Sequence, residues 1–347
     1  MDFTPNIYPN YGFFPKDIST TLVNIRFKKS LNIVVGSSGF DESNFKENTD
    51  LIIIDYSHHP RAHGTLFNKY KNTPVLGLTG FYDANTDKIP TGSIYMYYPH
   101  YFGYANFEIP VVDTSNDFEK KYKFSCLNRS PKSERVWFYT KLFRQSFFEN
   151  CITSFYNEFP NGDGIDFSNL DQDTINFFNQ NIKHLLPICK DYDDLWSKSE
   201  LDLLYSKKYN DSIHHKHPAI NDSYIQIISE HSHTDKFLTE KTVKALAAKQ
   251  IFLMAGPQYA IKELKRLGFD VFEDIICHDH YDSEPDAKIR LTKMLEIAND
   301  LDKQNLSKIY QETFDRRLRN QQYIYSEELR SKIFKPIIDF INTNCLQ

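Results

Sequence analysis

Short runs of consecutive apolar residues constrain the fold of this chain most. They occur at residues 31–36, 51–56 and 73–78, and again at 225–228 and 251–255. Each run is too short for a buried helix and is rich in Val, Ile and Leu, so it predicts a strand buried on both faces. Such strands are typical of parallel sheets that helices cover on both sides. We therefore expect an α/β fold whose ligands bind beyond the carboxyl ends of the strands.

The composition favours a two-domain protein of the cytoplasm. The 347 residues, 40% of them hydrophobic, are enough for two packed domains. The net charge of −5 argues against a protein that binds nucleic acid through overall positive charge, although a local basic groove is compatible with it. The five cysteines are scattered without metal-ligand spacing, which favours reduced thiols. No apolar stretch approaches the length of a membrane span, and the first residues lack the features of a signal peptide.

Residues 229–257, the signature segment, carry the densest chemistry in the chain. Thr239 is predicted to be the N-cap of a helix, because its hydroxyl can accept a hydrogen bond from the first turn. Glu240 and Lys241 then lie in that first turn. A helix N-terminus attracts phosphate through its free N–H groups and its partial positive charge, to which Lys241 adds a full charge. Glu240 could accept hydrogen bonds from sugar hydroxyls, so these groups suit a pyrophosphate with a ribose attached.

The same segment resembles the donor-binding signature of fucosyltransferase-type glycosyltransferases. Glu230, Ser232 and Phe237 stand at the family's spacing before the Thr-Glu-Lys triplet at residues 239–241. His231 occupies the position where the family has Asn, and Phe237 the position where it usually has Tyr. The resemblance implies that Glu230 and Ser232 contact the transferred sugar or the phosphates, and that Phe237 packs near the base or ribose.

A second part of the resemblance lies upstream. Asn128 and residues 134–142 resemble the first strand-loop-helix of the family's nucleotide-binding domain, where an Arg that opens the helix binds the donor's phosphates. Arg135 matches that Arg, and Arg129 is added as a candidate by proximity. The likeness covers about residues 121–275, with weak similarity in the middle.

The resemblance implies two Rossmann-like domains that face each other across a cleft, the GT-B arrangement. We expect residues 1–119 to bind the acceptor, 120–300 to bind a nucleotide-sugar, and 301–347 to form helices that could pack back on the first domain. The expected reaction moves a hexosyl or pentosyl group from a nucleotide-diphosphate sugar to an acceptor hydroxyl. It is expected to be inverting and independent of metal, with no cofactor besides the donor substrate.

The general base is expected in the first domain, since it must face the donor and take a proton from the acceptor hydroxyl. Asp41, Asp55 and His58 are the candidates, because they lie at predicted strand ends or in the loops that follow. Ordinary surface positions are an equally open interpretation for each of them. The histidines at 58–63 could also bind a metal ion, but no carboxylate or Cys partner is evident in the sequence.

The acceptor and the function itself leave alternatives open. The acceptor could be a surface glycan or a hydroxymethylated base in phage DNA, which a DNA enzyme would reach by flipping the base. A non-catalytic protein on the same fold that binds a nucleotide or sugar phosphate is a second hypothesis. A metal-dependent hydrolase that uses the histidines at 58–63, 214–217 and 278–280 is a third. The oligomeric state is not predicted.

The sequence around the signature segment predicts further elements. The expected strands are 123–128 and 269–272, in addition to the apolar runs above. The expected helices are 132–148, 171–186, 239–249, 258–267 and at least two within 290–344.

Overall fold

A computed structural model describes part of the chain in detail. The described residues are 6–8, 31–35, 51–55, 75–79, 82, 94–97, 99, 102, 119–128, 132–155, 164–181 and 222–345. The chain divides into two compact units, Met1–Tyr104 with Ser326–Gln347, and Ala105–Tyr325. The domain boundaries expected after residues 119 and 300 stay predictions. The predicted α/β class is confirmed.

The first unit contains a parallel sheet whose strands follow the order of the chain. The strands pair in the sequence β1-β2-β3-β4-β5, and every pair is parallel. The apolar runs at 31–36, 51–56 and 73–78 are strands, as predicted, with ends that differ by one or two residues. The strands are β1 (Asn6–Tyr8), β2 (Leu31–Val35), β3 (Leu51–Asp55), β4 (Val75–Thr79) and β5 (Ile94–Tyr97).

The second unit contains a four-stranded parallel sheet with a reversal in its strand order. Its strands are β6 (Tyr122–Leu127), β7 (Cys151–Ser154), β8 (Ser223–Ser229) and β9 (Ile251–Ala255), in the order β7-β6-β8-β9. From β6 the chain moves to one side to form β7 and then to the other side to form β8 and β9. The reversal between β6 and β8 is a topological switch point, the place where open parallel sheets bind ligands.

Helices accompany both sheets in the described residues. The segment 290–344, where at least two helices are predicted, contains all or part of four helices. The helices are α1 (Ser133–Phe143), α2 (172–181), α3 (Glu240–Ala247), α4 (Ala260–Leu267), α5 (Ala287–Asp302), α6 (Leu306–Glu312), α7 (Phe314–Ile324) and α8 (Glu327–Cys345). No helix among the described residues combines the length and apolar character needed to cross a membrane.

The core of the second unit surrounds β8 and β9, whose residues are all buried. Aromatic side chains fill the space between the sheet and its neighbours. The Phe124 and Phe147 rings lie 4.7 Å apart, and those of Tyr139 and Phe155 lie 4.9 Å apart, within the range of favourable aromatic pairs. The signature segment therefore starts at the end of a fully buried strand.

Two predicted elements need correction. The helix predicted over 132–148 ends at Phe143, and a 3₁₀ turn, Ser146–Asn150, follows it. The strand predicted over 269–272 is absent, because its backbone N–H groups bond to side chains instead of a neighbouring strand. The Asp270 N–H donates to Asn320 Oδ1 at 2.9 Å, and the Phe272 N–H donates to Asp270 Oδ1 at 2.8 Å. Phe272 also has a positive φ of 61°, which a regular strand does not allow.

Candidate functional site

The residues of the resemblance meet at the switch point of the second sheet. Asn128 directly follows β6 and Glu230 directly follows β8, and both are buried. Since β6 and β8 are parallel neighbours, their carboxyl ends lie at the same edge of the sheet. Gly256 follows β9 at this edge and comes close to Glu230. A Cβ added to Gly256 would lie 3.4 Å from Glu230 Cγ.

Glu230 organises the loop that links β8 to α3, residues 230–239, which we call the signature loop. Its carboxylate accepts four hydrogen bonds. Oε1 accepts from the Thr239 N–H at 3.1 Å and from Thr242 Oγ1 at 2.5 Å. Oε2 accepts from Thr239 Oγ1 at 2.5 Å and from the His231 N–H at 3.2 Å. These contacts, together with its complete burial, describe a side chain that positions the loop and the start of α3.

Thr239 caps α3 as predicted. Its hydroxyl oxygen accepts from the Lys241 N–H at 3.3 Å. Lys241 Nζ lies 3.1 Å from Glu240 Oε1, and both side chains are 23% exposed, so a ligand can reach them. Burial would raise the pKa of Glu240, but the charges of Lys241 and Lys244 outweigh burial and hold that pKa well below its ordinary value. Glu240 is therefore an anion that only accepts hydrogen bonds.

Arg135 joins α1 to the signature loop. Its side chain is 2% exposed, and its Nη2 donates to the Glu230 carbonyl at 2.9 Å. Glu134, its neighbour in α1, accepts at Oε2 from the His233 N–H at 3.1 Å. The first turn of α1 thus holds the loop at two backbone positions and keeps a permanent guanidinium charge close to it.

Lys132 and His231 form a second contact between α1 and the loop. Lys132 Nζ lies 3.0 Å from His231 Nε2 and donates to the His231 carbonyl at 3.2 Å. Burial and the charges of Arg135 and Lys241 lower the pKa of Lys132. Partial burial, and then the charges of Lys132, Lys241 and Arg135, lower the pKa of His231 to about 4. The charges of Lys132, Arg135 and Lys241 therefore add to the effect of burial at the His231 ring.

The other residues of the resemblance have local contacts. Ser232 Oγ accepts from the Thr234 and Asp235 N–H groups at 3.2 and 3.1 Å and so shapes a tight turn. Phe237 is buried, with 7% of its surface exposed. Asn128 Nδ2 donates a weak bond to Cys126 Sγ at 3.4 Å. The donor contacts expected of these side chains stay predictions.

Arg290, which the sequence analysis did not single out, fixes the far side of the signature loop. It lies in α5 and is 2% exposed. Its guanidinium donates to the carbonyls of Gly256 at 3.1 Å and Glu284 at 2.5 Å, and also to the carbonyl of His233. Nothing in the local sequence signals this role, because the bonded carbonyls lie up to 57 residues away.

The remaining candidates fall into two groups. Asp41, His58 and Arg129 lie outside the described residues, as do the histidines at 214–217. Asp55 is the last residue of β3, and its side chain lies outside the description. His278 is a core residue: its Nε2 bonds to the Val271 carbonyl and its Nδ1 to Tyr281 Oη, both at 2.7 Å.

No group of three or more metal-ligating side chains occurs within the parts of the chain that the structure describes. Comparison with protein-family models, with curated proteins and with solved structures finds no match for this chain.

Proposed function

We propose that this chain is a glycosyltransferase of the GT-B type that binds a nucleotide-diphosphate sugar at the carboxyl edge of β6 and β8. One observation carries the proposal. Lys132, Arg135 and Lys241 converge with the beginnings of α1 and α3 at the switch point, through contacts to one loop. The residues of the upstream match and of the signature segment, which are about 95 positions apart, therefore act on the same place.

The chemistry of this place suits a diphosphate. Both helices direct backbone N–H groups and partial positive charge toward their N-termini. Lys132, the N-cap of α1, provides no side-chain acceptor for that first turn, where the Ser133 N–H donates to Asp166 Oδ2 at 3.4 Å. Lys241 and Lys132 are ammonium donors, and the buried Arg135 adds a permanent charge. Glu240 is the acceptor in this set and suits the hydroxyls of a ribose.

These groups also suit the transfer step. When the bond between the sugar carbon and the diphosphate oxygen breaks, negative charge develops on the departing nucleoside diphosphate. Lys241, Arg135 and the two helix N-termini are in place to stabilise that charge. An acceptor hydroxyl then attacks the sugar carbon from the opposite face and inverts it, while a base takes the hydroxyl proton. Asp41, Asp55 and His58 of the first unit remain the candidates for that base, and a glycan or a hydroxymethylated base in DNA remains the acceptor.

The test is donor binding by a charge variant and a matched control. Titration calorimetry with UDP, GDP, ADP, CDP and TDP, in the presence of chelator, measures the dissociation constant of each. For the nucleotide that binds, Lys241→Ala is expected to weaken binding by about tenfold to a hundredfold, since a charge-assisted hydrogen bond contributes about 1.5–3 kcal/mol.

Lys123→Ala is the matched control. Lys123 is also a half-exposed lysine in an ion pair, with Asp302 at 2.8 Å, but it lies near the amino end of β6, at the opposite edge of the sheet. Equal weakening by both variants, or binding unaffected by Lys241→Ala, would contradict the proposed site. Binding without release of nucleoside diphosphate from any nucleotide-sugar, with glycan or DNA acceptors present, would favour the non-catalytic hypothesis.

A further inference from the structure

The contact between Lys132 and His231 fixes the protonation of an exposed imidazole. An ammonium group only donates hydrogen bonds, so His231 Nε2 must accept from Lys132 Nζ across their 3.0 Å distance. The ring is then neutral and carries its proton on Nδ1. The His231 side chain is exposed, and its backbone N–H is held by Glu230 Oε2. The ring can therefore meet a ligand without disturbing the loop.

The charged groups around His231 explain why the ring stays neutral. Lys132 and Arg135 face it from α1, and Lys241 and Glu240 face it from α3. Partial burial of the ring is the largest cause, and the charges of Lys132, Lys241 and Arg135 add to it against the opposing charge of Glu240, so that the pKa of His231 is about 4. Burial, and then the charges of Arg135 and Lys241, lower the pKa of Lys132, while Glu134 and Asp235 oppose them. A bound anion with two or more negative charges would raise the pKa of both His231 and Lys132, because it stabilises their protonated forms.

We propose that His231 is a direct ligand of the bound diphosphate and joins it as an imidazolium when Lys132 turns from the ring to the anion. This inference rests on the proposed function and deepens it. Lys132 exchanges the Nε2 acceptor for a phosphate oxygen, and the freed Nε2 takes one proton from solvent. The ring then donates a charge-assisted hydrogen bond to the diphosphate, and diphosphate binding is accompanied by proton uptake.

The experiment measures the binding of inorganic pyrophosphate, the part that nucleotide-sugars share, to the full chain at pH 5.5, 6.5 and 7.5. The variant His231→Asn keeps a polar side chain but cannot take up a proton. If the pKa of His231 returns to about 6.5 in the complex, the ratio of the variant's Kd to that of the wild type rises about tenfold from pH 7.5 to pH 5.5. The ionisation of pyrophosphate itself cancels in this ratio.

His280→Asn is the control, because His280 is also exposed and has a single ion-pair partner, Glu296, at 3.2 Å. Its Kd ratio is expected to stay constant with pH. A constant ratio for His231→Asn, with pyrophosphate bound by both proteins, would overturn the role of His231 and leave the proposed function standing. Failure of the wild type to bind pyrophosphate at any of the three pH values would count against the site itself.

Discussion

Replacing Glu230 by glutamine separates two roles for this residue. The resemblance assigns it to the donor, whereas its four hydrogen bonds assign it to the loop and to the start of α3. A glutamine has one oxygen and one NH₂ group, and the NH₂ group cannot accept. If the NH₂ group replaces Oε1, the Thr239 N–H loses its acceptor and faces another donor. If it replaces Oε2, the His231 N–H does so.

The magnitude follows from these contacts. A buried backbone N–H left without a partner costs about 1–3 kcal/mol, and bonds to a charged acceptor are stronger than those to an amide. With a threonine hydroxyl also forced to turn, we expect Glu230→Gln to lower the free energy of unfolding by about 3 kcal/mol. For a domain of this size, that corresponds to a fall in Tm of about 6–12 °C.

Urea unfolding followed by circular dichroism measures this change. Glu240→Gln is the matched variant, because Glu240 is the next acid of the segment but is partly exposed and pairs with Lys241. It is expected to lower the free energy of unfolding by less than Glu230→Gln does, because a glutamine at position 240 leaves no buried backbone N–H without its acceptor. If Glu230→Gln unfolds like the wild type and yet loses nucleotide binding, the positioning role argued from the structure is wrong.

Two further perturbations test the core of the second unit. Burial lowers the pKa of His278 to about 4, so the unfolded chain takes up its proton first as the pH falls, and stability drops between about pH 6.5 and 4. The loss is about 2.5 kcal/mol at pH 4.5, and His278→Gln should flatten this part of the pH–stability profile measured by urea unfolding. Gly268 has a φ of +107°, and a Cβ there would lie 2.8 Å from Tyr323 Oη, so thermal unfolding of Gly268→Ala should show a loss of about 2 kcal/mol. Gly164→Ala is its control, because no other part of the described chain comes within 4 Å of the added Cβ there, and equal losses would refute the argument.

The strands of the described residues could be predicted because burial on both faces leaves a direct trace in the sequence. The runs at 225–228 and 251–255 became β8 and β9, whose residues are all buried. The start of α3 was also predictable, since a cap depends only on Thr239 and the turn that follows it. The prediction of a strand at 269–272 was wrong because the N–H groups of this segment donate to Asn320, 50 residues away, and to a local Asp side chain.

The candidate site likewise combines local features that the sequence predicts with contacts between distant residues that it does not predict. The spacing of Thr239, Glu240 and Lys241 placed a cation and an acceptor on the first turn of a helix, and the structure places them there. The inward direction of Glu230 could not be predicted, because it depends on which hydroxyls the fold brings to its carboxylate. The contact of Lys132 with His231 spans 99 residues, and no pattern in the sequence relates the two positions.

Arg290 has a consequence for how the specificity of such a loop could change. In and around the loop, its guanidinium donates to main-chain carbonyls, those of His233, Gly256, Glu284 and Pro285. A guanidinium that bonds to carbonyls recognises the path of the backbone and is indifferent to the side chains along it. Exposed positions such as 231 can therefore accept different residues while the loop keeps its shape. The shape of the loop therefore depends on Glu230, on Ser232 and on a helix that follows later in the chain, while the exposed side chains of the loop are left free to vary.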